Sequence, residues 1–155
     1  MTEWKTPFKE IKVGTGRKLR SGTDIAVLSI GHIGNIAAKG IESLQAEGYS
    51  VAHYDMRFAK PIDEMLLHEV FAKFKHVITI EDHAIMGGMG SAVLEFMGDH
   101  GYSAAEAFGH PRSLDRARIQ QELYAECGFD DVALIAAVKE LLAEQKGAKG
   151  KRASA

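Results

Sequence analysis

Apolar residues follow two rhythms along this chain. Short β-branched runs, Ile25-Ala-Val-Leu-Ser-Ile30, Tyr49-Ser-Val-Ala-His-Tyr54 and Val77-Ile-Thr-Ile80, read as strands buried on both faces, with Val77–Ile80 as the central one. Between them the spacing changes to i, i+3 and i+4, which predicts helices. The first carries Ile36, Ala37, Gly40, Ile41 and Leu44 and ends at Gly48, and the second carries Met65, Leu66, Val70, Phe71 and Phe74. A third, with Val93, Leu94 and Met97, runs to about His100, and the last places Leu134, Ile135, Val138, Leu141 and Leu142 on one face. Pro61 opens the second helix from its first turn, where Asp63 and Glu64 suit the dipole, and Asp130 N-caps the last.

The connections fit the same order. Val13 to Leu19, with two glycines, predicts a short edge strand, and Ser21-Gly-Thr-Asp24 a turn. Ala104, Ala105, Ala107 and Phe108 make a poor fifth strand; residues 109–118 read as solvated loop, and Gln120 to Glu126 as a short helix broken at Gly128. Alternating strands and helices imply an α/β fold, a three-layer α/β/α sandwich with a mostly parallel sheet of about five strands. The domain is expected over residues 13–145. Residues 1–12, with Trp4, Pro7, Phe8 and Ile11, form an extended lead-in, and residues 146–155 a disordered basic tail.

The stretch from His76 to Met97 draws most interest. Its strand stops at two carboxylates, Glu81 and Asp82, and a loop with Gly87, Gly88 and Gly90 leads into the third helix. Open α/β sheets place functional surfaces at such carboxyl ends. The glycines fit an anion cradle at a helix start, or plain backbone freedom with close helix packing. Gly-Gly-Met-Gly is neither a dinucleotide fingerprint nor a P-loop, and no Lys follows it. Two carboxylates in the same mouth would repel a phosphate, which favours the structural reading.

Composition narrows the possibilities further. The 155 residues suit one domain, and 46% hydrophobic with 26% charged residues is ordinary for a globular chain. A net charge of −2 gives no reason to expect a nucleic acid or an anionic membrane. No signal-peptide segment or membrane-length apolar run is present, so a cytoplasmic location is the default. The single Cys127 excludes an internal disulfide and reads as a small buried hydrophobe. Seven histidines are scattered with no second His or Cys at ligand spacing, so no metal site is expected. Asp82-His83 suits an oriented general base, although an acidic pair capping a strand end explains it without catalysis. Ser29 and Ser91 lack a nucleophile elbow. Arg57 and Lys60 suit a phosphate, or ion pairs with Asp55, Asp63, Glu81 or Asp82; the ion-pair network is preferred. The candidate loop-edge residues are therefore Arg57, Lys60, Asp63, Glu81, Asp82, His83, Gly87, Gly88 and Gly90, with no self-sufficient catalytic set.

Four stretches carry a resemblance: Lys12-Val-Gly-Thr-Gly-Arg-Lys-Leu19, Asp55-Met-Arg-Phe-Ala-Lys-Pro-Ile-Asp63, Thr79-Ile-Glu-Asp-His-Ala-Ile-Met-Gly-Gly-Met-Gly-Ser91 and Gln120-Gln-Glu-Leu-Tyr-Ala-Glu-Cys-Gly128. Through them residues 4–142 resemble the C-terminal domain of the 1-deoxy-D-xylulose-5-phosphate synthases, in the transketolase superfamily. The resemblance implies an enzyme that condenses pyruvate with glyceraldehyde 3-phosphate in isoprenoid precursor biosynthesis. It places thiamine diphosphate and magnesium between the first two domains, with the third domain beside them supporting the dimer. This chain carries no Gly-Asp-Gly…Asn segment and no pyrimidine domain. No catalysis and no cofactor binding are expected from it alone. The expected partners are the domains it lacks or a second copy. The alternatives are a stand-alone binding or regulatory module, or a subunit of a split transketolase-like enzyme. Trp4, Phe8, Phe58, Ile85, Met86 and Met89 are candidates for an apolar patch facing the absent domains.

One segment departs from the family. Residues 106–119 replace words resembling Lys-Arg-Leu-Gly-Ile-Pro-Asp-Arg-Phe-Ile-Glu-His-Gly, and permissible codons read one base later recover nearly that string. Two compensating frameshifts are expected to bracket the segment. His110, Arg112 and Asp115 then inherit no role from the family.

Overall fold

The computed structural model describes residues 9–84, 86–102, 106–110 and 130–152. Along them run β1 (Arg17–Arg20), β2 (Ile25–Ile30), α1 (Ile33–Ala46), β3 (Val51–Asp55) and α2 (Glu64–Lys73). There follow β4 (Val77–Ala84), α3 (Met89–Asp99), β5 (Glu106–His110) and α4 (Asp131–Arg152). The strands form one sheet in the order β1-β3-β2-β4-β5. β1 is an antiparallel edge strand on β3, and the other three pairings are parallel. The central strand is β2, so the Val77–Ile80 run lies one place off centre.

Side chains alternate across a strand, and here both faces are covered. Ile25, Val27, Val51, Ile78 and Ile80 enter one core with α1 and α4. Ala26, Leu28, Ala52, Tyr54 and Val77 enter the other with α2 and α3. The result is the expected three-layer α/β/α sandwich. Gly40 sits where α1 meets α4: a Cβ there would lie 3.2 Å from the carbonyl oxygen of Asp131. Gly22 is tighter still, because a Cβ would lie 2.2 Å from the amide nitrogen of Ala52.

Three expectations need correction. Pro61 lies ahead of α2, in a cis peptide with Lys60, and Asp63 is the N-cap. Val70, Phe71 and Phe74 are buried as expected, but Leu67 joins them in place of Met65, which is 85% exposed. β4 does not stop at the carboxylates but continues through Ala84. α4 runs on through Arg152, so residues 146–152 are helical where a disordered tail was expected. The predicted helix at 120–126, Cys127, residues 1–8 of the lead-in and most of segment 106–119 lie outside the described residues. No helix among those described is long and apolar enough to cross a membrane.

Candidate functional site

The carboxyl ends of β2, β3 and β4 open on one edge of the sheet, and eight of the nine candidate residues lie in the loops and helix starts there or at the end of β4; Asp63 caps α2. Because β4 continues past Ile80, its alternation carries on through the acidic pair. Glu81 shares the face of Val77 and Thr79, toward α3, whereas Asp82 shares the face of Ile78 and Ile80, toward α1. The two carboxylates therefore do not crowd one mouth. Each leaves the strand toward a different helix start.

Glu81 is 3% exposed, and its carboxylate bridges the first turn of α3. The Met89 amide donates to Oε2 at 2.7 Å and the Gly90 amide to Oε1 at 2.8 Å. Gly88, the extended N-cap, and Gly87, at φ +78, carry the chain from β4 into this arrangement. The Gly87 amide donates to Ser91 Oγ at 2.9 Å. The glycine loop is thus an anion cradle whose anion is the chain's own carboxylate. This joins the two readings of the sequence: the amides do face a negative group, and that group belongs to the fold.

The other carboxylates are engaged in the same manner. Asp82 Oδ2 lies 3.4 Å from Nε2 of His32, the N-cap residue of α1. Asp63 accepts from the Leu66 amide at 3.0 Å and, with its second oxygen, from the Gly16 amide at 2.8 Å, fastening α2 to the segment before β1. Asp55 accepts from Arg17 Nε at 3.0 Å and from the Arg57 amide at 3.1 Å. The preferred ion pairs of Arg57 and Lys60 do not form among the described residues, because these acids are already occupied. Arg57 is half-buried in a left-handed conformation, φ +58, within a tight turn closed by Phe58 N–H on the Met56 carbonyl. His83 lies within β4, and its side chain falls outside the description. An acid–imidazole pair that the structure does contain is Asp82 with His32. Sequence reasoning missed it, although both residues stand at carboxyl ends of neighbouring parallel strands.

One further pair has the look of a nucleophile and its base. Ser29 Oγ lies 2.8 Å from His53 Nε2, but the residues are 1% and 2% exposed beneath α1. Burial pushes the His53 imidazole down to about 4, against the opposing pull of Asp55. The pair is a polar tie between β2 and β3. Of the expected apolar patch, Met86 is 62% exposed and Phe58 half-buried, whereas Met89 is buried as the first residue of α3. Among the described residues no three His, Cys, Asp or Glu gather as a metal site.

Taken together, these contacts define a class: an α/β layer with two of its edge carboxylates, Asp63 and Glu81, bound to its own helix starts. The chain belongs to a known family. Residues 14–133 match the transketolase C-terminal domain family. The chain is 52% identical over 142 residues to the 1-deoxy-D-xylulose-5-phosphate synthase of Cytophaga hutchinsonii, covering 91% of this chain and 22% of that enzyme. It is 53% identical over 144 residues to the same-named enzyme of Bacteroides thetaiotaomicron, covering 92% and 22%. A solved structure described as a split-gene transketolase, an inactive β4 tetramer, superposes with a TM-score of 0.80 and 29% identity. That match covers 87% of this chain and 44% of the other. The chain spans about a fifth of the length of the synthases it matches.

Proposed function

We propose that this chain serves as the third domain of a 1-deoxy-D-xylulose-5-phosphate synthase: a structural layer that supports the dimer and does not catalyse alone. The observation that carries the reading is the engagement of Glu81, Asp82, Asp63 and Asp55 in bracing contacts. An edge so committed holds its loops in fixed shape for another domain, and each of these four carboxylates already has a partner within the fold. Thiamine diphosphate, magnesium and the condensation of pyruvate with glyceraldehyde 3-phosphate belong, on this reading, to the preceding domains. Arg57, Lys60 and Met86, exposed or half-buried with no ion pair among the described residues, are the side chains left to face those domains.

The test is reconstitution. A polypeptide supplying the first two domains of a matched synthase is assayed for carbon dioxide release from pyruvate, with and without this chain. Turnover that requires both supports the reading. Turnover of pyruvate by the purified chain alone overturns it. The split-gene transketolase neighbour favours a second arrangement, in which such a layer works as part of a separate subunit. The same reconstitution with a transketolase-type partner would distinguish it.

A further inference from the structure

We infer that His68 and His100 form a two-histidine site for a divalent first-row transition-metal ion, clipping α2 to the end of α3. The two residues lie far apart in the sequence, but the fold brings their rings to a centroid separation of 4.7 Å at an interplanar angle of 87°. With metal–nitrogen bonds of about 2.1 Å, two imidazoles on neighbouring positions of one ion hold their centroids about 4.5 Å apart at a right angle and about 5.2 Å apart in a tetrahedral shell. The observed separation falls between those two values.

Both rings are also oriented by their other nitrogen. His100 Nδ1 lies 2.9 Å from the Phe96 carbonyl oxygen, which only accepts, so Nδ1 carries the proton and Nε2 its lone pair. His68 Nδ1 lies 2.8 Å from the Tyr102 hydroxyl. When Nδ1 donates there, Nε2 of His68 is likewise a bare donor atom for a metal. A hydrogen bond on one imidazole nitrogen that fixes the other as ligand is the usual support of metal-binding histidines. Phe96 lies 4.2 Å from the His100 ring and 4.9 Å from the His68 ring, and Phe71 stacks on Tyr102 at 5.1 Å. This aromatic floor holds both rings in place while their residues remain exposed to solvent. Water completes the shell. Two neutral imidazoles select borderline ions in the order Ni2+ below Cu2+ and above Mn2+, with Zn2+ also accepted.

The experiment uses the whole chain and three ions, Zn2+, Ni2+ and Cu2+. Isothermal titration should give one site per chain whose affinity falls at least tenfold in either His68→Ala or His100→Ala, and a thermal midpoint that rises with metal and returns with chelator. His76→Ala should leave both unchanged. A His68→Ala or His100→Ala variant that binds as tightly as the original chain overturns the site, as does the absence of any binding. Should a variant fail to fold, paramagnetic broadening by Cu2+ in the unaltered chain decides. The His68 and His100 ring signals must broaden before those of the other five histidines; any other order refutes the assignment.

Discussion

Replacing Glu81 tests the self-filled cradle directly. Its carboxylate accepts two charge-assisted hydrogen bonds, 2.7 and 2.8 Å long, from amides in the first turn of α3, and it is 3% exposed. Hydrogen bonds to a charged group contribute about 1.5–3 kcal/mol each when a partner is removed and the other is left buried. The helix dipole adds about 0.5–2 kcal/mol in a partly buried setting. Glu81→Ala should therefore cost roughly 4 kcal/mol, a large share of the ~5–15 kcal/mol that holds a domain together. Glu81→Gln keeps the shape and one acceptor but turns an amide N–H toward another N–H, and should cost about 3 kcal/mol. Urea unfolding at unchanged slope reads both values. Formate at high concentration should restore part of the loss in Glu81→Ala, because the small carboxylate fits the vacated position, and should do nothing for the original chain. The Met89 and Gly90 amide resonances should shift in the variants and move back with formate. If Glu81→Ala lies within about 0.5 kcal/mol of the original chain, with those two resonances unmoved, the amides find their partner elsewhere and the cradle account is wrong.

Four other outcomes follow from the same contacts. His53 titrates near 4 when folded and near 6.5 when unfolded, so below pH 6.5 only the unfolded chain gains its proton. Stability should fall by about 3 kcal/mol as the pH drops from 6.5 to 4, and the slope over that window should vanish in His53→Gln, followed by urea midpoints at each pH. Tyr54 carries a buried hydroxyl with no hydrogen-bond partner among the described residues, so Tyr54→Phe should be neutral or raise stability by about 1 kcal/mol on thermal unfolding. Gly22→Ala places a Cβ 2.2 and 2.3 Å from backbone atoms of β3, and should cost about 3 kcal/mol; a cost under 1 kcal/mol would mean the turn shifts freely. The nucleotide sequence across codons 106–119 should permit the reading displaced by one base, and codons incompatible with it end the frameshift idea.

The strands and the helix faces were legible because burial imposes a period. The continuous apolar run of β2 and the i, i+3, i+4 spacing of Ala37, Gly40, Ile41 and Leu44 each need only the local chain. The polar residues were not legible in that way. Glu81 and Asp82 looked like the end of a strand and a shared negative mouth, because nothing local reveals that β4 keeps pairing beyond them. Likewise His68 and His100 meet only through the packing of α2 against α3, which no spacing along the chain records. In the first turn of α2, where both residues are apolar, Met65 was assigned to the buried face that Leu67 takes.

The mistakes share one cause, and it can be turned into a rule for chains of this kind. Each helix start creates a demand for an acceptor, since its first amides have no partner within the helix. In this fold Asp63 meets that demand for α2, Glu81 for α3 and Asp130, by accepting from the Ala133 amide at 2.8 Å, for α4. Asp82 lies against His32, the N-cap residue of α1, but the His32 side chain makes no capping hydrogen bond, so α1 is the exception. Acidic residues at strand ends should therefore be counted against helix starts before any is counted toward catalysis. By that count Asp63, Glu81 and Asp130 are committed to helix starts, while Arg57 and Lys60 form no ion pair among the described residues. Beside them on the same edge stands the exposed Met86.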